Sequence, residues 1–326
     1  MDLKFHIPVV KSVLFFVILI LCFNPAVGQQ TPLYPVSYRI FSPFILNPAI
    51  AGSKDFSSID FISGWHGESN SQIVNINSRL AKKGPGYFMS PDVKKFSGLG
   101  IGGSLFNEKK SPSRNIGLSA VCSYQIPIDK QYLSFLSFGA AVKGVFNTMD
   151  SITSSDPGLS IPEKKSIYPN LDVGVYYYGP KLFTGISATN LLGNPEDPDT
   201  LGIFRIPVSR EFFFIAGYKI LLNKSLGLVL EPSLILNANE SRSQKITDIL
   251  EPMLKFYMQD FCLGTYFNDY DNISFFLQYK YPRFYIGTFF EIPGNAPYFR
   301  KALNIEFALG INFSPIKSMY LKYYHW

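Results

Sequence analysis

Few side chains in this sequence have the types and spacing needed for catalysis or metal binding. The 326 residues include three histidines and three cysteines. His66 follows Trp65 at the end of a strand-like run, and an exposed loop histidine explains it better than a general base does. The sequence has no Gly-x-Ser-x-Gly elbow, no ordered Ser, His and acid set, and no paired His or Cys spacing. It therefore predicts a protein that is not an enzyme, with no catalytic residue, no cofactor and no metal.

Four charged residues lie within apolar runs, each out of phase with the large apolar side chains around it. A charge on the lipid face of a membrane strand costs about 2–4 kcal/mol at the midplane, so an out-of-phase charge is expected to face the lumen of a barrel. There it could line a wet lumen or contact a segment packed inside. The lumen-facing candidates are Lys143, Glu231, Lys280 and Glu306.

The elements that would position these residues are strands, because the apolar residues recur with a period of two. The clearest run is LNIEFALGINF at 303–313, where Leu, Ile and Phe alternate with Asn, Glu, Ala and Gly. It is longer than a typical sandwich strand of about five or six residues and matches the roughly 9–11 residues of a tilted membrane strand. Runs at 116–126, 225–236 and 273–281 alternate in the same way. Between residues 57 and 313 there are about fourteen such runs, an even number, as in single-chain bacterial barrels.

The connections between these runs indicate the same architecture. From the fourth run on, tight connections such as GP (179–180) and QD (259–260) alternate with long or loose ones such as 191–208 and 238–252. The exceptions are at the front, where 66–70 is short and 81–96 is long. Short turns at one end and long loops at the other are typical of an antiparallel up-and-down outer-membrane barrel.

Individual residues of the runs lead to three further expectations. Pro232 cannot donate to a strand ladder, so it predicts a bulge or the end of a strand. Cys122 lies on the apolar phase of its run and Cys262 on the opposite phase of another, so we expect two free thiols. The glycines of GLGIGG (98–103) recur at every second residue and are expected to leave room inside the barrel for a packed segment.

The composition and the first residues indicate an exported membrane protein. Charged residues make up 17% of the chain and aromatic residues 16%, which is apolar for an ordinary soluble protein. A positive start, the apolar run 12–23 and small residues before Gln29 predict a cleaved signal peptide over 1–28. The alternative, a lipoprotein signal at Cys22, lacks the small preceding residues that such processing requires. After the leader, no run approaches the ~20 apolar residues of a spanning helix.

The expected organisation is a signal peptide (1–28), a plug-like N-terminal segment (29–56), an outer-membrane β-barrel (57–313) and a C-terminal tail (314–326). The predicted fold class is all-β, a transmembrane antiparallel up-and-down β-barrel of about fourteen strands in contact with outer-membrane lipid. The net charge of +6 is spread over scattered lysines and arginines, so no nucleic-acid partner is expected.

The motif NPAIAG (47–52) places a helix start and a helix stop one turn apart. Asn47 is a good N-cap, Pro48 suits the first helical position, Ala49 follows, and Gly52 suits a left-handed end. A short capped helical turn of this kind could occupy the lumen, where its backbone groups must be satisfied without lipid. The alternative is a simple surface turn before the first strand.

Several stretches resemble the PorP/SprF family of outer-membrane proteins. FSPFILNPAIAGS (41–53) is similar to the family's opening Asn-Pro-Ala-Tyr-Ala-Gly signature. The stretch 168–192 resembles its middle hairpin, with an Asp-x-Gly-x-x-Tyr-Tyr strand and a Gly-x-Ser-Ala return strand. The stretch 212–238 resembles its Ala-Gly-Tyr and Pro-Ser pair, and FYIGTFF together with LNIEFALGINF resembles its closing strands. The resemblance runs from about residue 38 to residue 313.

This resemblance implies a non-enzymatic barrel of the type IX secretion and gliding systems of Bacteroidetes, located in the outer membrane. Such a protein would assist secretion of a large cell-surface protein, attach it to the surface, and act with other type IX secretion components. The alternative is an outer-membrane channel for hydrophobic or small solutes, similar to the fatty-acid-transporter barrels, which also carry an Asn-Pro-Ala segment inside the barrel. A third possibility, an outer-membrane hydrolase, lacks a visible base and nucleophile pair.

Overall fold

The structure is a computed structural model that describes the inner N-terminal residues, the strands and part of the connections. The described residues are 37–54, 57–66, 69–80, 98–111, 113–129, 134–153, 160–161, 164–192, 210–240, 246–268, 272–281, 284–293 and 304–313. The predicted signal peptide (1–28) and C-terminal tail (314–326) lie outside these ranges.

Fourteen of the described strands form one antiparallel sheet that closes on itself. In chain order they are β1 (Ser57–His66), β2 (Ser69–Leu80), β3 (Gly98–Lys110), β4 (Ser113–Asp129), β5 (Ser134–Met149), β6 (Lys164–Tyr178), β7 (Leu182–Thr189), β8 (Glu211–Tyr218 and Ile220–Asn223), β9 (Leu228–Asn239), β10 (Leu250–Met258), β11 (Phe261–Asn268), β12 (Asn272–Tyr281), β13 (Phe284–Pro293) and β14 (Asn304–Phe313). The first and last strands pair from Ser57↔Phe313 to Trp65↔Ile305, which closes the barrel. The predicted all-β, up-and-down barrel is confirmed.

Few other elements are found among the described residues. Two α-helical turns, α1 (Tyr38–Phe41) and α2 (Ile246–Ile249), lie before β1 and before β10. Two 3₁₀ turns, Pro43–Ile45 and Pro48–Ile50, follow α1. Within the connection from β5 to β6, Ile152–Thr153 pair with Ser160–Ile161 as a separate two-stranded ladder. In the part of the chain that the structure describes, no helix has the length and apolar character to cross a membrane.

Side chains alternate between the two faces of the barrel in the predicted phase. In β14, Phe307, Leu309 and Ile311 are exposed on the outer surface, whereas Glu306 and Ala308 are buried inside. The other strands show the same pattern, with an apolar outer surface and small, polar or charged side chains on the inner wall. This arrangement suits a wall whose outer surface contacts lipid.

Three tight turns lie together at one end of the barrel, which we call the tight-turn end. The turns at 179–181, 224–227 and 259–260 join β6 to β7, β8 to β9 and β10 to β11. The strand β1 begins at this end and β14 finishes there, because Ser57 pairs with Phe313. The strand ends that flank the longer connections 190–210 and 240–249 lie at the opposite end, as the alternation predicts. The first part of the barrel departs from the alternation, because the connections 67–68 and 111–112 at that end are short and 81–97 is long.

The expectation for Pro232 was wrong. Pro232 lies inside β9 and pairs with Leu254 of β10 without a shift of register. The ladder on the other side of β9 has a gap instead. The strands β8 and β9 pair as far as Gly217↔Ser233 and again from Ile220↔Leu230, so Tyr218, which lies opposite Pro232, and Lys219 are not paired with β9. The N–H of Lys219 points away from β9 and donates to the carbonyl of Lys181 at 2.7 Å, beside the pair Tyr218↔Leu182 of β8 with β7. Pro232 thus lies inside a strand, opposite a two-residue gap in the β8–β9 ladder.

Candidate functional site

The described N-terminal residues 37–54 pack against the inner wall of the barrel, and we call them the inner segment. They comprise α1 and the two 3₁₀ turns, and Ala49 and Ala51 are fully buried. Pro43 and Pro48 each stand at the start of a 3₁₀ turn, where a residue without an N–H leaves no donor unsatisfied. Local backbone hydrogen bonds satisfy much of the segment, for example from the N–H of Ser42 to the carbonyl of Tyr38 at 2.8 Å.

The NPAIAG motif forms a single capped turn, of 3₁₀ rather than α type. Asn47 has an extended backbone, and its side-chain oxygen accepts a hydrogen bond from the N–H of Ala49 at 3.0 Å. This bond satisfies a donor that the start of the turn would otherwise leave free. Gly52 adopts a φ of +68°, the left-handed region that favours glycine.

Asn47 also fixes the inner segment to two strands of the wall. Its amide nitrogen donates to the carbonyl of Val175 in β6 at 3.1 Å and to the carbonyl of Ile186 in β7 at 3.2 Å. The residue is fully buried, so an apolar replacement would leave the N–H of Ala49 without a partner. One side chain therefore caps the turn and attaches it to the barrel.

Glycines in the wall leave the space that the inner segment occupies. A Cβ atom on Gly139 of β5 would lie 2.3 Å from the nitrogen of Ala49. A Cβ atom on Gly100 of β3 would lie 2.3 Å from the carbonyl oxygen of Ala51. Non-bonded heavy atoms prefer about 3.5–4.0 Å, so a larger residue at either position would displace the segment. The prediction that the GLGIGG glycines leave room for a packed segment is confirmed for Gly100.

A buried ion pair holds the start of the inner segment to strands late in the chain. Arg39 forms a salt bridge with Glu251 of β10 and a hydrogen bond with the hydroxyl of Tyr266 in β11. Burial alone would lower the pKa of the Arg39 guanidinium, but Glu251, Tyr266 and Tyr38 together outweigh burial and raise this pKa above its ordinary value. The backbone N–H of Ser37 donates to the carboxylate of Glu306 in β14 at 2.8 Å. Glu306, one of the predicted lumen-facing residues, thus contacts the inner segment directly.

Glu231, a second predicted lumen-facing residue, is the centre of a charged cluster on the wall. Its carboxylate accepts hydrogen bonds from Lys255 of β10 at 3.1 Å and from the hydroxyl of Tyr257 at 3.2 Å. The ammonium of Lys219 lies 3.9 Å from the same carboxylate. Glu231 is 2% exposed, so its charge is compensated by these neighbours rather than by water.

The remaining two candidates lie elsewhere on the barrel. Lys143 of β5 forms an ion pair with Asp172 of β6, which is buried. Lys280 belongs to β12, and its side chain lies outside the described part of the structure. The four charges are therefore not gathered in one site: Glu306 contacts the inner segment, whereas Lys143 and Glu231 pair within the wall.

A cavity of about 190 Å³ remains between the inner segment and the wall. It lies toward the tight-turn end, because Lys54, just ahead of β1, and Gly179, in the β6–β7 turn, line it. The Glu231 cluster lines the same cavity. Burial and the nearby Lys255 lower the pKa of the Lys54 ammonium from its ordinary value, although Asp60 opposes this effect.

The remaining candidates for chemistry do not come together. Among the described residues, no group of three or more His, Cys, Asp or Glu is placed to hold a metal ion. Cys122 is exposed on the outer surface, Cys262 is buried, and both are free, which confirms the prediction of two free thiols. His66 ends β1, and its side chain is outside the described part. The inner wall holds the inner segment through polar contacts that are distributed around the lumen.

Sequence reasoning missed several residues that make these contacts. Nothing in the local pattern marks Arg39, because the inner segment has no strand or helix periodicity. The sequence places Glu251 in the loose connection 238–252. In the structure, alternate residues of β10 share the inner phase, namely Glu251, Met253, Lys255 and Tyr257. An alternating pattern that began at Glu251 rather than after Pro252 would place Glu251 on the inner wall.

The fold and these buried contacts define a class of protein: an outer-membrane β-barrel whose lumen holds part of its own N-terminal region. Over residues 27–310 the chain matches the family model described as type IX secretion system membrane protein PorP/SprF. The chain therefore belongs to the PorP/SprF family, as the sequence motifs predict. No curated protein matches its sequence.

Solved structures of other barrels are similar to this chain only at a low level. The KdgM porin is 9% identical, with a TM-score of 0.36 over 79% of this chain and 98% of that chain. BamA from Haemophilus ducreyi, lacking POTRA domains 1–3, is 12% identical, with a TM-score of 0.37 over 80% of this chain and 70% of that chain. The β domain of the Bordetella autotransporter BrkA is 9% identical, with a TM-score of 0.35 over 79% and 98%. At these values the likenesses carry no conclusion about function.

Proposed function

We propose that this protein is a non-enzymatic outer-membrane component of type IX secretion that assists the secretion and surface attachment of a large secreted protein. Membership of the PorP/SprF family supports this role. The single observation that most supports this proposed role is that the inner segment is packed within the lumen. A barrel occupied in this way is suited to act through its ends and its outer surface, with other secretion components, rather than by conducting solutes.

The contacts of the inner segment explain how it could occupy the lumen stably. Beyond the bonds made by Asn47 and Arg39, the side chains of Ser123 and Gln125 in β4 donate to the carbonyl of Ala51 at 2.6 Å and 2.9 Å. A hydrogen bond of this kind contributes about 1 kcal/mol net, and more when its loss would leave a buried group unpaired. Because these bonds reach strands on several sides of the lumen, they favour one docked position over a loose tether.

Deletion of the gene in the native organism tests the proposed role. Surface biotinylation followed by mass spectrometry should show that one or a few large secreted proteins disappear from the cell surface, and that a plasmid copy restores them. Cross-linking and purification of the complete barrel from native membranes should recover the same protein or other type IX secretion components. An unchanged set of surface proteins in the deletion strain would contradict the proposal.

The channel alternative is tested with the purified protein in lipid bilayers. A lumen held by the inner segment should give no steady conductance and no uptake of small or hydrophobic solutes into liposomes. Sustained conductance by the wild-type protein, together with solute uptake, would favour the channel for hydrophobic or small solutes instead.

A further inference from the structure

The outer surface of β3 and β4 changes from apolar to basic at the end of the barrel opposite the tight turns. Along β4, Ile116 and Leu118 are exposed, and Arg114, two residues before Ile116, is exposed on the same face. Along β3, Leu105 is exposed, and so is Lys109, four residues later on the same face. On both strands the apolar outer surface therefore ends at a cationic side chain.

The length of this apolar surface places the two cations beside the membrane surface. Every second residue of β4 from Ile116 to Ile128 is exposed and uncharged. This stretch is about 40 Å long at ~3.3 Å per residue, and it spans roughly 28 Å of membrane at a strand tilt of about 45°. The apolar band of an outer-membrane barrel is about 25 Å tall. Arg114, one outward position beyond Ile116, is therefore expected at the level of the lipid headgroups.

Lys109 and Arg114 are two like charges that lie directly opposite each other. They are register partners in the β3–β4 ladder and share the outer face. Like charges in such cross-strand pairs are destabilising, because their Cβ atoms are only about 4.5–5.5 Å apart. Within the described residues neither of them forms a salt bridge, and Glu108, the acidic residue of β3, is buried on the inner face. An anion that binds between the two cations would relieve this repulsion.

A chain of side-chain hydrogen bonds holds Arg114 in place on this face. Its Nε donates to Oδ1 of Asn107 at 2.9 Å, and Nδ2 of Asn107 donates to Oε1 of Gln72 at 2.7 Å. Gln72 in turn donates to Oδ1 of Asn70, the register partner of Lys109 in β2. Each amide oxygen of the chain already accepts a bond, so its two ends present donors, namely the amino groups of the guanidinium and the amide nitrogen of Asn70. Asn70, Lys109 and Arg114 thus form a patch of donors on three neighbouring strands, which we call the outer donor patch.

We propose that the outer donor patch binds the phosphate headgroup of an anionic lipid in the leaflet at this end of the barrel. The guanidinium of Arg114 and the ammonium of Lys109 donate charge-assisted hydrogen bonds to the phosphate oxygens, and the amide of Asn70 supplies a neutral donor. The acyl chains of the same lipid lie along the adjoining apolar surface of β3 and β4. This continuity with the lipid-facing surface favours a lipid over a soluble anion. The site is separate from the role in secretion, so its failure would leave that proposal standing.

Native mass spectrometry of the complete barrel in a neutral detergent tests the site with two lipids that carry the same acyl chains. Dioleoylphosphatidylglycerol has a net negative headgroup, whereas the headgroup of dioleoylphosphatidylcholine has no net charge. An attraction to anionic lipid of about fivefold per basic residue predicts that the first phosphatidylglycerol binds with a Kd at least about fivefold below that of phosphatidylcholine. Inorganic phosphate at millimolar concentration should not displace the lipid, because it lacks acyl chains. Equal affinities for the two lipids, or displacement by inorganic phosphate, would overturn the proposal.

Single variants locate the lipid on the outer donor patch. Arg114→Gln and Lys109→Gln should each raise the Kd of phosphatidylglycerol by about fivefold and leave that of phosphatidylcholine unchanged. Arg210→Gln is the matched control, because it makes the same change at an exposed site at the same end, where the charge of Arg210 is already paired with Glu240 at 3.4 Å. Thermal unfolding of each variant checks that the barrel is folded. An unchanged Kd in Arg114→Gln and Lys109→Gln, or an equal increase in Arg210→Gln, would refute the site.

Discussion

Replacing Gly139 with alanine should loosen the inner segment while leaving the outer surface of the barrel unchanged. The new Cβ atom would lie 2.3 Å from the nitrogen of Ala49 and 2.4 Å from the carbonyl carbon of Pro48. Both are backbone atoms, which cannot rotate away as the end of a side chain can. Contacts between such atoms need about 3.5 Å, so the segment or the wall must move by about 1 Å.

The size of the effect follows from the cost of overpacking. Adding a methyl group to a filled site costs about 1–3 kcal/mol. The added methyl group raises the free energy of the docked state of the inner segment and leaves that of the undocked state unchanged. At about 1.4 kcal/mol per factor of ten, the undocked fraction should rise by about 5- to 150-fold.

A cysteine on the inner segment reports this fraction directly. Ser42 is 1% exposed, and Ser42→Cys is a nearly isosteric change that places a thiol where a water-soluble maleimide reaches it only after undocking. The rate of labelling, read by mass spectrometry of the peptide that contains residue 42, should increase by the same 5- to 150-fold in Gly139→Ala.

Gly144→Ala is the matched control, because it makes the same change in the same strand. A Cβ atom on Gly144 would meet no atom within 4 Å, so labelling should stay at the parent rate. If Gly139→Ala and Gly144→Ala label at the same rate in folded barrels, the argument that the glycine makes room for the segment is refuted.

Three further predictions test the ion pair, the lipid face and the cysteines. Arg39→Met should lower the free energy of unfolding of the barrel by about 3–5 kcal/mol, because it leaves the charge of Glu251 buried without its cationic partner. The double variant Arg39→Met/Glu251→Met should recover much of this loss when both are compared by thermal unfolding. Leu309→Arg, in the middle of the lipid-facing side of β14, should cost about 2–4 kcal/mol in urea unfolding from lipid vesicles, whereas Leu309→Phe should cost far less. Intact mass after alkylation under denaturing conditions without reductant should show both Cys122 and Cys262 modified; a mass lacking two alkyl groups would indicate a disulfide.

The barrel could be predicted from the sequence because its signals are local and repeated. Alternation in runs such as 303–313 places large apolar residues on one face, and the loop lengths then fix the up-and-down order. The ends of strands were harder to predict, since β4 extends from Ser113 to Asp129 whereas its alternating pattern covers 116–126. Polar residues near the membrane surface are compatible with both strand and loop. Pro232 was misjudged because β9 continues through the proline, opposite a gap in the β8–β9 ladder.

The contacts of the inner segment could be predicted only in part. NPAIAG carries its own signal, since a cap, a proline and a glycine act within one turn. The partners of that turn, such as the carbonyls of Val175 and Ile186, lie more than a hundred residues away and are backbone atoms, which no residue type marks. The same holds for Arg39, whose partner Glu251 is 212 positions later. Such pairings depend on where the closed barrel brings the strands.

The long-range contacts of the inner segment also set an order for assembly. Ser37 bonds to Glu306, 269 positions later, although the inner segment is joined directly to the first strand. The binding surface for Ser37 is therefore complete only when the last strand has been made and has paired with β1. The contact of Ser37 with Glu306 therefore requires that β14 is in place. The first described residue of the chain thus depends, for this bond, on the last strand of the barrel.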